Sequence, residues 1–318
     1  MMLVKAHIHG ILSAWRSREY PVRRAGPKNV LPSMVDLYWA KHLVSHGPFR
    51  TASESKQHLE WRFSVYPLFR EFSQLYGRHD NQVILDYGCG SGNDVIGFGL
   101  YSQASKIIGL DVSTEALRLT RYRLALHRIP PGRIELTQIS DSAAEIPLAD
   151  RSVDHVNCQG VLMHTSRPEI ILREFYRISR PGSTACIMVY NCDSLWLHLF
   201  TAYQRMLVEG AFDGLTVCEA FARNTDGADC PISRCYGSLE FVAMCREAGF
   251  EEVEYVGGYL SDTELRSLHK YGQAALESEK LSDEHRAFLR TLEFDARGFP
   301  MHEGKHAGIG GTYWLART

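Results

Sequence analysis

Short apolar runs alternate with amphipathic stretches along the middle of the chain, from residue 82 to residue 192. Apolar runs rich in branched residues lie at 83–88, 106–113, 133–140, 152–160 and 183–191, and each has the length of a buried strand. The stretches between them carry helix signals, such as Ser113 as an N-cap and Ser166 to Glu169 as a capping box. This alternation predicts an α/β fold with a doubly wound, mostly parallel sheet.

The pattern changes on both sides of this region. Residues 53–77 place aromatic and aliphatic side chains at helical spacing, with a break at Pro67, and predict a helical cap. A helix-like stretch at 195–208 is followed by a loop rich in Gly, Asp and Cys, and then by a helix at 238–249. A strand follows that helix, residues 261–296 have helical patterns, and 311–317 is a terminal strand.

We therefore predict one core with a seven-stranded sheet, a helical N-terminal cap and helical insertions, rather than two separate domains. The predicted parts are a basic N-terminal arm and helical cap (1–80), a ligand-binding core (81–192), an insertion or lid (193–237) and the remainder of the core (238–318). The last part contains a second insertion at about 261–308.

Composition and charge narrow the class of protein. The 318-residue chain is 45% hydrophobic and 23% charged, and no apolar run approaches the roughly 20 residues of a membrane span, so we predict no membrane partner. The net charge of −2 hides a segment of +6 at residues 1–50, where eight Lys and Arg residues accompany only Glu19 and Asp36. Such a segment is typical of a targeting sequence, a contact with an anionic surface or a solvated arm, and these alternatives remain open.

The eight cysteines form no CxxC pair and match no zinc or redox spacing. Several lie inside apolar runs, where a free cysteine behaves as a small buried hydrophobe. We therefore predict a cytoplasmic protein without a bound metal.

A glycine loop, Asp86-Tyr-Gly88-Cys-Gly90-Ser-Gly92, joins the first strand to the first helix of the core. Its glycines permit a tight turn and close approach of a ligand to the backbone. Pyrophosphate loops offer N–H groups to an anion, whereas this loop is flanked by Asp86 and Asp94 and has the spacing GxGxG. The acidic flanks favour a ligand with a cationic end and disfavour a nicotinamide dinucleotide.

Acidic residues also follow the next two strands. Asp111 ends the second strand, where a carboxylate can accept hydrogen bonds from a ribose diol. Asp141, with Ser142 beside it, follows the third strand, where a side chain can reach an adenine amino group. Three carboxylates at three successive strand ends together indicate one nucleoside-containing ligand.

At this point the sequence resembles the class I S-adenosylmethionine-dependent methyltransferases, which have a Rossmann-like fold. The resemblance is carried by ILDYGCGSGND (84–94), IIGLDVS (107–113), ISDSAAEIPLADRSVDHV (139–156), GVLMHT (160–165) and LREFYRISRPG (172–182). The segment before the core also resembles bacterial small-molecule methyltransferases of the methyltransferase type 11 kind.

The resemblance implies S-adenosylmethionine as cofactor, with S-adenosylhomocysteine as product. It implies that Asp86, Gly88, Gly90 and Gly92 hold the methionine part of the cofactor. Asp111 with Val112 would then hold the ribose, Asp141 and Ser142 would flank the adenine, and the segment beginning at Gln159 would face the methyl group.

Candidate catalytic residues lie at the same rim. His164 follows the fourth strand and is the best-placed base, although a histidine that only hydrogen-bonds beside a helix start is an equal alternative. Tyr190 ends the fifth strand and either orients a substrate or caps the strand. Five aromatic residues are further candidates for the lining of an acceptor pocket: Tyr38, Trp39, Trp61, Trp196 and Tyr203. The polar loop at 302–306 either folds over this pocket or is solvated.

We predict methylation of a small-molecule acceptor, apolar or aromatic, at O, N or C, in natural-product or glycan-related metabolism. A nucleic-acid methyltransferase is the first alternative because of the basic arm, although the residues after the fourth strand lack an Asn/Asp-Pro-Pro-aromatic motif. The second alternative is a non-catalytic protein that binds S-adenosylmethionine and acts through interactions. The sequence does not indicate an oligomeric state.

Overall fold

A computed structural model describes residues 16–25, 32–44, 47, 49–143 and 145–318. Lys5 and Lys28, two cations of the predicted basic arm, lie outside the described residues. The strands, in chain order, are β1 Val22–Arg24, β2 Val83–Tyr87, β3 Lys106–Asp111, β4 Ile134–Gln138, β5 Val153–Gln159, β6 Ser179–Asn191, β7 Cys235–Tyr236, β8 Glu252–Tyr259, β9 Glu293–Phe294, β10 Pro300–His302, β11 Lys305–His306 and β12 Gly310–Ala316.

Eleven helices longer than one turn occur in the described part of the chain. They are α1 Met34–Trp39, α2 Ala52–Val65, α3 Phe69–Ser73, α4 Asn93–Tyr101, α5 Thr114–His127, α6 Pro168–Ile178, α7 Trp196–Val208, α8 Val217–Asp226, α9 Ser238–Glu247, α10 Asp262–Glu277 and α11 Asp283–Arg290. The hydrogen bonding of α7 is of the π type. Short 3₁₀ turns lie at Ser17–Glu19, Pro131–Arg133 and Leu162–His164.

The main sheet has seven central strands in the order β4-β3-β2-β5-β6-β12-β8. Strands β2 to β6 pair in parallel, and β12 is antiparallel to both of its neighbours. This is the doubly wound, mostly parallel arrangement that the sequence predicts.

Two short strands extend the sheet, so the described residues form nine strands in it rather than the predicted seven. β1 pairs in parallel with β4, and β7 pairs in parallel with β6. Strands of two or three residues contain too few positions to show an alternating pattern, and their pairing depends on partners more than 40 residues away in the sequence.

Helix starts in the core agree only in part with the sequence pattern. Ser113 caps α5 as predicted, because its hydroxyl accepts a hydrogen bond from the N–H of Ala116 at 3.2 Å. The predicted capping box at Ser166 is wrong: α6 begins at Pro168, and no side chain in the described part of the chain caps it. The hydroxyl and the N–H of Ser166 instead donate to the carboxylate of Asp141, which is a stronger acceptor than a neutral group.

The regions outside the core pack onto it through one hydrophobic cluster. The break predicted at Pro67 lies between α2 and α3, where Leu68 adopts a left-handed conformation with φ of 71°. Leu59 of α2 and Phe288 of α11 belong to the same buried cluster as Ile84 of β2. Among the described residues, no helix combines the length and the hydropathy needed to cross a membrane.

Candidate active site

A cavity of about 770 Å³ opens at the carboxyl ends of β2, β3, β5 and β6. Its floor is the glycine loop that follows β2, and its walls include residues of α1, α2, α8 and α10. In doubly wound sheets the ends of parallel strands meet at this edge and form the ligand crevice. Helices α1, α2, α8 and α10 therefore border the crevice at the strand ends.

The glycine loop is shaped to bring its backbone close to a ligand. Gly88, Gly90 and Gly92 have φ angles of 72°, 53° and 83°, in the left-handed region that favours glycine. A Cβ at Gly88 would lie 2.4 Å from Val161, and one at Gly92 would lie 2.6 Å from Thr120. At Gly90 no heavy atom of the described residues lies within 4 Å of a Cβ position, and Gly90 lines the cavity. Gly90 therefore leaves space for a ligand.

Asp86 places an unpartnered carboxylate oxygen at the same end of β2. Its Oδ1 accepts a hydrogen bond from Nδ2 of Asn157 at 2.9 Å, and its buried Oδ2 has no partner among the described residues. Burial, and then the charge of Asp94, raises the pKa of Asp86 well above its ordinary value. A cationic ligand group beside Oδ2 would satisfy this oxygen and stabilise its charge.

Asp94, the second acidic flank of the loop, is already neutralised. It forms an ion pair with Arg62 of α2 and accepts a hydrogen bond from the hydroxyl of Tyr76 at 2.7 Å. Burial by itself raises the pKa of Asp94, but the charge and hydrogen bonds of Arg62 outweigh it and hold that pKa below its ordinary value. The interpretation of Asp94 as a partner for a cationic ligand is therefore corrected: Arg62 is its partner.

Asp111 stabilises the loop as well as facing the cavity. Its two carboxylate oxygens accept hydrogen bonds from the N–H groups of Gly90 at 2.8 Å and Ser113 at 2.7 Å. Each oxygen retains a second lone pair, so the carboxylate can still accept from a diol. Val112 and Asp111 both line the cavity, as the resemblance implies.

Of the two residues predicted to flank the adenine, Asp141 lines the cavity and Ser142 does not. Asp141 lines the cavity, and its carboxylate is held by Ser166 while its N–H donates to Asp36 of α1 at 2.8 Å. Ser142 is exposed and is not among the residues that line the cavity, and its hydroxyl shares a hydrogen bond with Ser140 at 2.7 Å. The structure therefore gives no support to Ser142 as a binding residue, and its predicted role stays a prediction.

Gln159 lies in the cavity wall at the end of β5. Its Nε2 donates to Oδ1 of Asn157 at 3.1 Å and to the carbonyl of Cys186 at 3.2 Å. Its buried Oε1 has no partner in the described part of the chain. Gln159 therefore retains one acceptor for a ligand.

His164 is buried in the 3₁₀ turn after β5 and faces the cavity. Its Nδ1 lies 2.9 Å from the carbonyl oxygen of Ile232. Since a carbonyl only accepts, Nδ1 carries the proton of the neutral ring, and Nε2 bears the lone pair. Burial lowers the pKa of His164, so the ring is neutral at neutral pH and can accept a proton.

Tyr190 and Asp226 meet beside this histidine. The hydroxyl of Tyr190 donates to Oδ1 of Asp226 at 2.9 Å, and that oxygen lies 3.7 Å from Nε2 of His164. Burial raises the pKa of Tyr190 well above its ordinary value. The phenol therefore stays protonated, and this makes Tyr190 a donor rather than a base.

Two residues of the site, Arg62 and Asp226, were not identified from the sequence. Arg62 lies one helical turn after the buried Leu59, on the apolar face of α2. The helical spacing in the sequence was enough to place this arginine on that face. Asp226 ends α8 within the predicted lid, and no local pattern distinguishes it from the neighbouring Asp229.

Aromatic side chains surround the part of the cavity beyond the glycine loop. Three of the five predicted aromatic residues line it: Trp39, Trp61 and Trp196. Tyr38 and Tyr203 do not: Tyr38 stacks on His42, and Tyr203 packs against Tyr271. The aromatic lining also includes Tyr66, Phe69, Tyr190 and Tyr259.

The polar loop at 302–306 does not fold over this cavity. It forms the β10–β11 hairpin, whose pairs are Met301 with His306 and His302 with Lys305. The hairpin borders a separate cavity of about 330 Å³ together with Asp193 and Glu240.

Comparisons with known proteins agree with this geometry. Residues 85–187 match the family model described as a methyltransferase domain. A demethylmenaquinone methyltransferase of Listeria monocytogenes is 28% identical over 230 residues, which cover 70% of this chain and 89% of that protein. The chain is therefore an S-adenosylmethionine-dependent methyltransferase, with its methyltransferase domain at residues 85–187.

Other relatives of this methyltransferase match less of its sequence or only its fold. An uncharacterised methyltransferase of Schizosaccharomyces pombe is 31% identical over 105 residues, 32% of this chain and 38% of that protein. A solved chain from the complex between the Haloferax volcanii Trm112 methyltransferase activator and a methyltransferase has 16% identity and a TM-score of 0.50. It covers 91% of this chain and 100% of that chain.

The cavity of this methyltransferase suits the chemistry of its cofactor, S-adenosylmethionine. The unpartnered Oδ2 of Asp86 matches an ammonium group, and the open space at Gly90 admits a ligand against the backbone. The lone pairs that remain on Asp111 match a ribose diol. The residues that are present therefore fit the cofactor.

One cluster has donor atoms of the kind that bind metals. A ring nitrogen of His164, a carboxylate oxygen of Asp226 and Sγ of Cys230 lie within 4.8 Å of one another. Burial raises the pKa of Cys230 to about 11, and its Sγ lies 3.3 Å from the carbonyl of Ile232, to which the thiol can donate. We therefore treat Cys230 as a protonated thiol within the methyltransferase site.

Proposed function

We propose that this methyltransferase acts on a small, apolar, hydroxylated aromatic acceptor, and that His164 takes the proton of the acceptor during transfer. The observation that carries this proposal is the unprotonated Nε2 of His164 beside the aromatic residues Trp39 and Tyr190 of the cavity wall. The acceptor class includes both a hydroxyl oxygen and a ring carbon beside a hydroxyl, since both must lose a proton.

The cofactor residues follow from the contacts described above. Asp86 is proposed to bind the ammonium group, the glycine loop the methionine backbone, and Asp111 with Val112 the ribose. Asp141 is proposed to remain an adenine-side residue, held in place by Ser166 and by Asp36. Gln159 is proposed to face the reaction centre with its free Oε1.

S-adenosylmethionine supplies an electrophilic methyl group on a sulfonium. The protein has to align the acceptor with that group and exclude water, because methyl transfer is an in-line displacement. Trp39 packs against His164 with ring centroids 4.8 Å apart, and Tyr190 lies edge-on to the same ring at 5.5 Å. These contacts fix the orientation of the base toward an acceptor in the cavity.

Relatives support the acceptor class. The Listeria monocytogenes protein is a demethylmenaquinone methyltransferase, and a Rubrivivax gelatinosus relative, 26% identical over 200 residues, is a ubiquinone/menaquinone biosynthesis C-methyltransferase. Quinols are hydroxylated aromatic rings with removable protons. We propose a cytoplasmic site of action, since the eight cysteines are all free thiols.

The test is transfer of a radiolabelled methyl group to a panel of acceptors that includes phenols, naphthoquinols, indoles, aliphatic amines and total RNA. We expect label in hydroxylated rings, and a loss of at least about 100-fold in turnover for His164→Gln, the scale of general base catalysis. His164→Gln should keep the wild-type affinity for S-adenosylhomocysteine. The exposed His269 provides a matched control, and His269→Gln should keep full turnover.

Three outcomes would contradict the proposal. Methylation of RNA alone would favour the nucleic-acid alternative, and turnover that is unaffected in His164→Gln would remove His164 as the base. Tight binding of S-adenosylhomocysteine without turnover of any acceptor would favour a non-catalytic role.

A further inference from the structure

Asp226 is a buried carboxylate of the predicted lid that the proposed mechanism does not yet use. It is the last residue of α8, and its side chain is only 9% exposed. Its Oδ2 accepts from the hydroxyl of Ser233 at 2.6 Å, and its Oδ1 accepts from Tyr190 at 2.9 Å. Its main-chain carbonyl accepts from the hydroxyl of Tyr38 at 2.5 Å, so both its main chain and its carboxylate are held in place.

Oδ1 of Asp226 lies close to the ring nitrogen of His164 that bears the lone pair. It lies 3.7 Å from Nε2, which is too long for a hydrogen bond to a neutral ring but short enough for a strong charge interaction once the ring is protonated. Because Ile232 fixes the proton on Nδ1, a second proton can add only at Nε2, on the side that faces Asp226 and the cavity.

We infer that Asp226 is a positioning residue that stabilises the imidazolium of His164 formed when the acceptor loses its proton. This inference rests on the proposed function. In the step, the O–H bond of the acceptor breaks and its proton goes to Nε2. The freed electron pair forms the bond to the methyl carbon either from the oxygen or, delocalised into the ring, from the carbon beside the hydroxyl, which then loses its own proton to solvent as the aromatic ring is restored. The carbon–sulfur bond breaks onto sulfur, the sulfonium becomes a neutral thioether, and the imidazolium later releases its proton to solvent.

The other titratable groups beside His164 do not provide that charge. They are Tyr190 of β6, Cys230 of the loop after α8, and Tyr38 of α1, which contacts Asp226. The cation Arg234 also lies close, since its side chain donates to the carbonyl of Thr165 at 2.8 Å. Burial raises the pKa of Tyr190, and burial followed by nearby thiol and carboxylate groups raises that of Tyr38 to about 12. With the Cys230 thiol also protonated, Asp226 is the negative group beside the ring within the described residues.

The lid is thereby linked to the chemistry. His164 belongs to the core turn after β5, whereas its counter-charge belongs to α8 of the insertion. The imidazolium is stabilised only while α8 is docked, and the hydroxyls of Tyr38 of α1 and Tyr190 of β6 bind the end of α8 to the rest of the protein. A lid that carries the counter-charge makes proton acceptance depend on a closed cavity.

The test needs no acceptor. Protein with isotope-labelled histidine is saturated with S-adenosylhomocysteine, and the His164 ring is followed by NMR as pH is varied, with His164→Gln assigning its signals. We expect the neutral ring to carry its proton on Nδ1. We expect Asp226→Asn to lower the pKa of His164 by about 1 to 3, as removal of an opposite charge at this distance should.

Controls separate charge from structure. Asp226→Glu should restore most of the wild-type pKa. Asp229→Asn removes an exposed carboxylate three residues away and should leave it unchanged. Binding of S-adenosylhomocysteine by Asp226→Asn shows that the variant is folded, since Asn can still accept the hydrogen bond of Tyr190.

Three results would overturn the inference: an unchanged His164 pKa in a folded Asp226→Asn variant, a wild-type ring that stays neutral down to pH 5, or a stoichiometric metal in the purified protein that is lost in Cys230→Ser. None of these results depends on the acceptor panel, so a failure here is distinct from a failure of the proposed acceptor class.

Discussion

At the scale of single residues, the two carboxylate oxygens of Asp86 have different surroundings. One oxygen is bound by Asn157, which also donates to Asp94 at 3.3 Å, and the other is buried and has no partner among the described residues. A buried carboxylate of this kind holds its proton more tightly than one in water. Binding of a cationic ammonium group should therefore release that proton.

This linkage predicts the pH dependence of cofactor binding. The affinity for S-adenosylhomocysteine should rise with pH up to the raised pKa of Asp86 in the free protein and then level off, because the ligand binds the ionised form. Asp86→Asn should lose this dependence and bind about 100-fold more weakly, the scale for losing one partner of a buried charge pair. Titration calorimetry in buffers of different ionisation enthalpy measures both the affinity and the released proton.

Asp150→Asn provides the control. The side chain of Asp150 is 73% exposed, so this substitution should leave the affinity and the proton release unchanged. A wild-type affinity in Asp86→Asn would show that Asp86 is not the ammonium partner.

The sequence predicts residues whose roles are local, and it misses residues whose partners are distant. Gly88, Gly90 and Gly92 are identifiable because a strand, a loop and a helix follow one another within a few residues. Arg62 pairs with a carboxylate 32 positions away, and Asp226 lies 62 positions after His164. Such pairs come together only in the folded protein, so the spacing of residues along the chain does not reveal them.

At the scale of elements, one carboxylate joins both insertions to the sheet. Glu264 on α10 is fully buried and accepts hydrogen bonds from the N–H groups of Ser261 at 2.7 Å and Trp196 at 3.0 Å. Burial raises its pKa from the ordinary 4.5 to about 8, although the hydrogen bonds from Ser261, Trp196 and Ile309 lower it. The junction of α7, α10 and β12 therefore carries a group that favours its neutral form.

The stability of the protein should consequently fall between pH 4.5 and pH 8. In that range the unfolded chain loses the proton of Glu264 while the folded protein retains it, which lowers the free energy of unfolding by up to about 1.4 kcal/mol per pH unit. Below pH 4.5 both states are protonated, and above pH 8 both are ionised, so this contribution is constant there. Glu264→Gln cannot ionise and should gain stability relative to the wild type from pH 5 to pH 8.

Urea unfolding at four pH values between 5 and 8 measures this difference. Glu277→Gln, which changes an exposed residue on the same helix, provides the matched control. A constant difference for Glu264→Gln would show that Glu264 is already ionised in the folded protein.

The elements of the core were predictable because strands and helices of ordinary length have strong periodic patterns. β1 and β7 were not, since a strand of two or three residues exists only through its neighbours. The capping box at Ser166 failed for a related reason: the distant carboxylate of Asp141 competes with the local helix end. The division of the chain into cap, core and insertions remains a prediction.

At the scale of the whole molecule, cap, sheet and late helices share one hydrophobic cluster. Tyr20, near the start of the described chain, belongs to it together with Leu289 of α11 and Leu315 of β12. Separate unfolding of the cap would expose this shared surface to water, which disfavours partly folded states.

We therefore predict a single unfolding transition in urea, with coincident curves from far-ultraviolet circular dichroism and tryptophan fluorescence. In Trp314→Phe, the fluorescence loses its reporter in the sheet, whereas Trp39, Trp61 and Trp196 still report on the cap and lid. The free energy of unfolding obtained from each curve should rise by about 2.7 kcal/mol when S-adenosylhomocysteine is present at 100 times its Kd. An earlier midpoint by fluorescence would show that the cap or lid unfolds independently.

The short strand β1 has a consequence for association between molecules. It covers the edge of β4, which would otherwise present unpaired N–H and C=O groups to a second chain. Two of its three residues, Arg23 and Arg24, are exposed cations, and like charges oppose the pairing of two such edges. This end of the sheet is therefore protected against edge-to-edge aggregation by a segment that contributes nothing to the cavity.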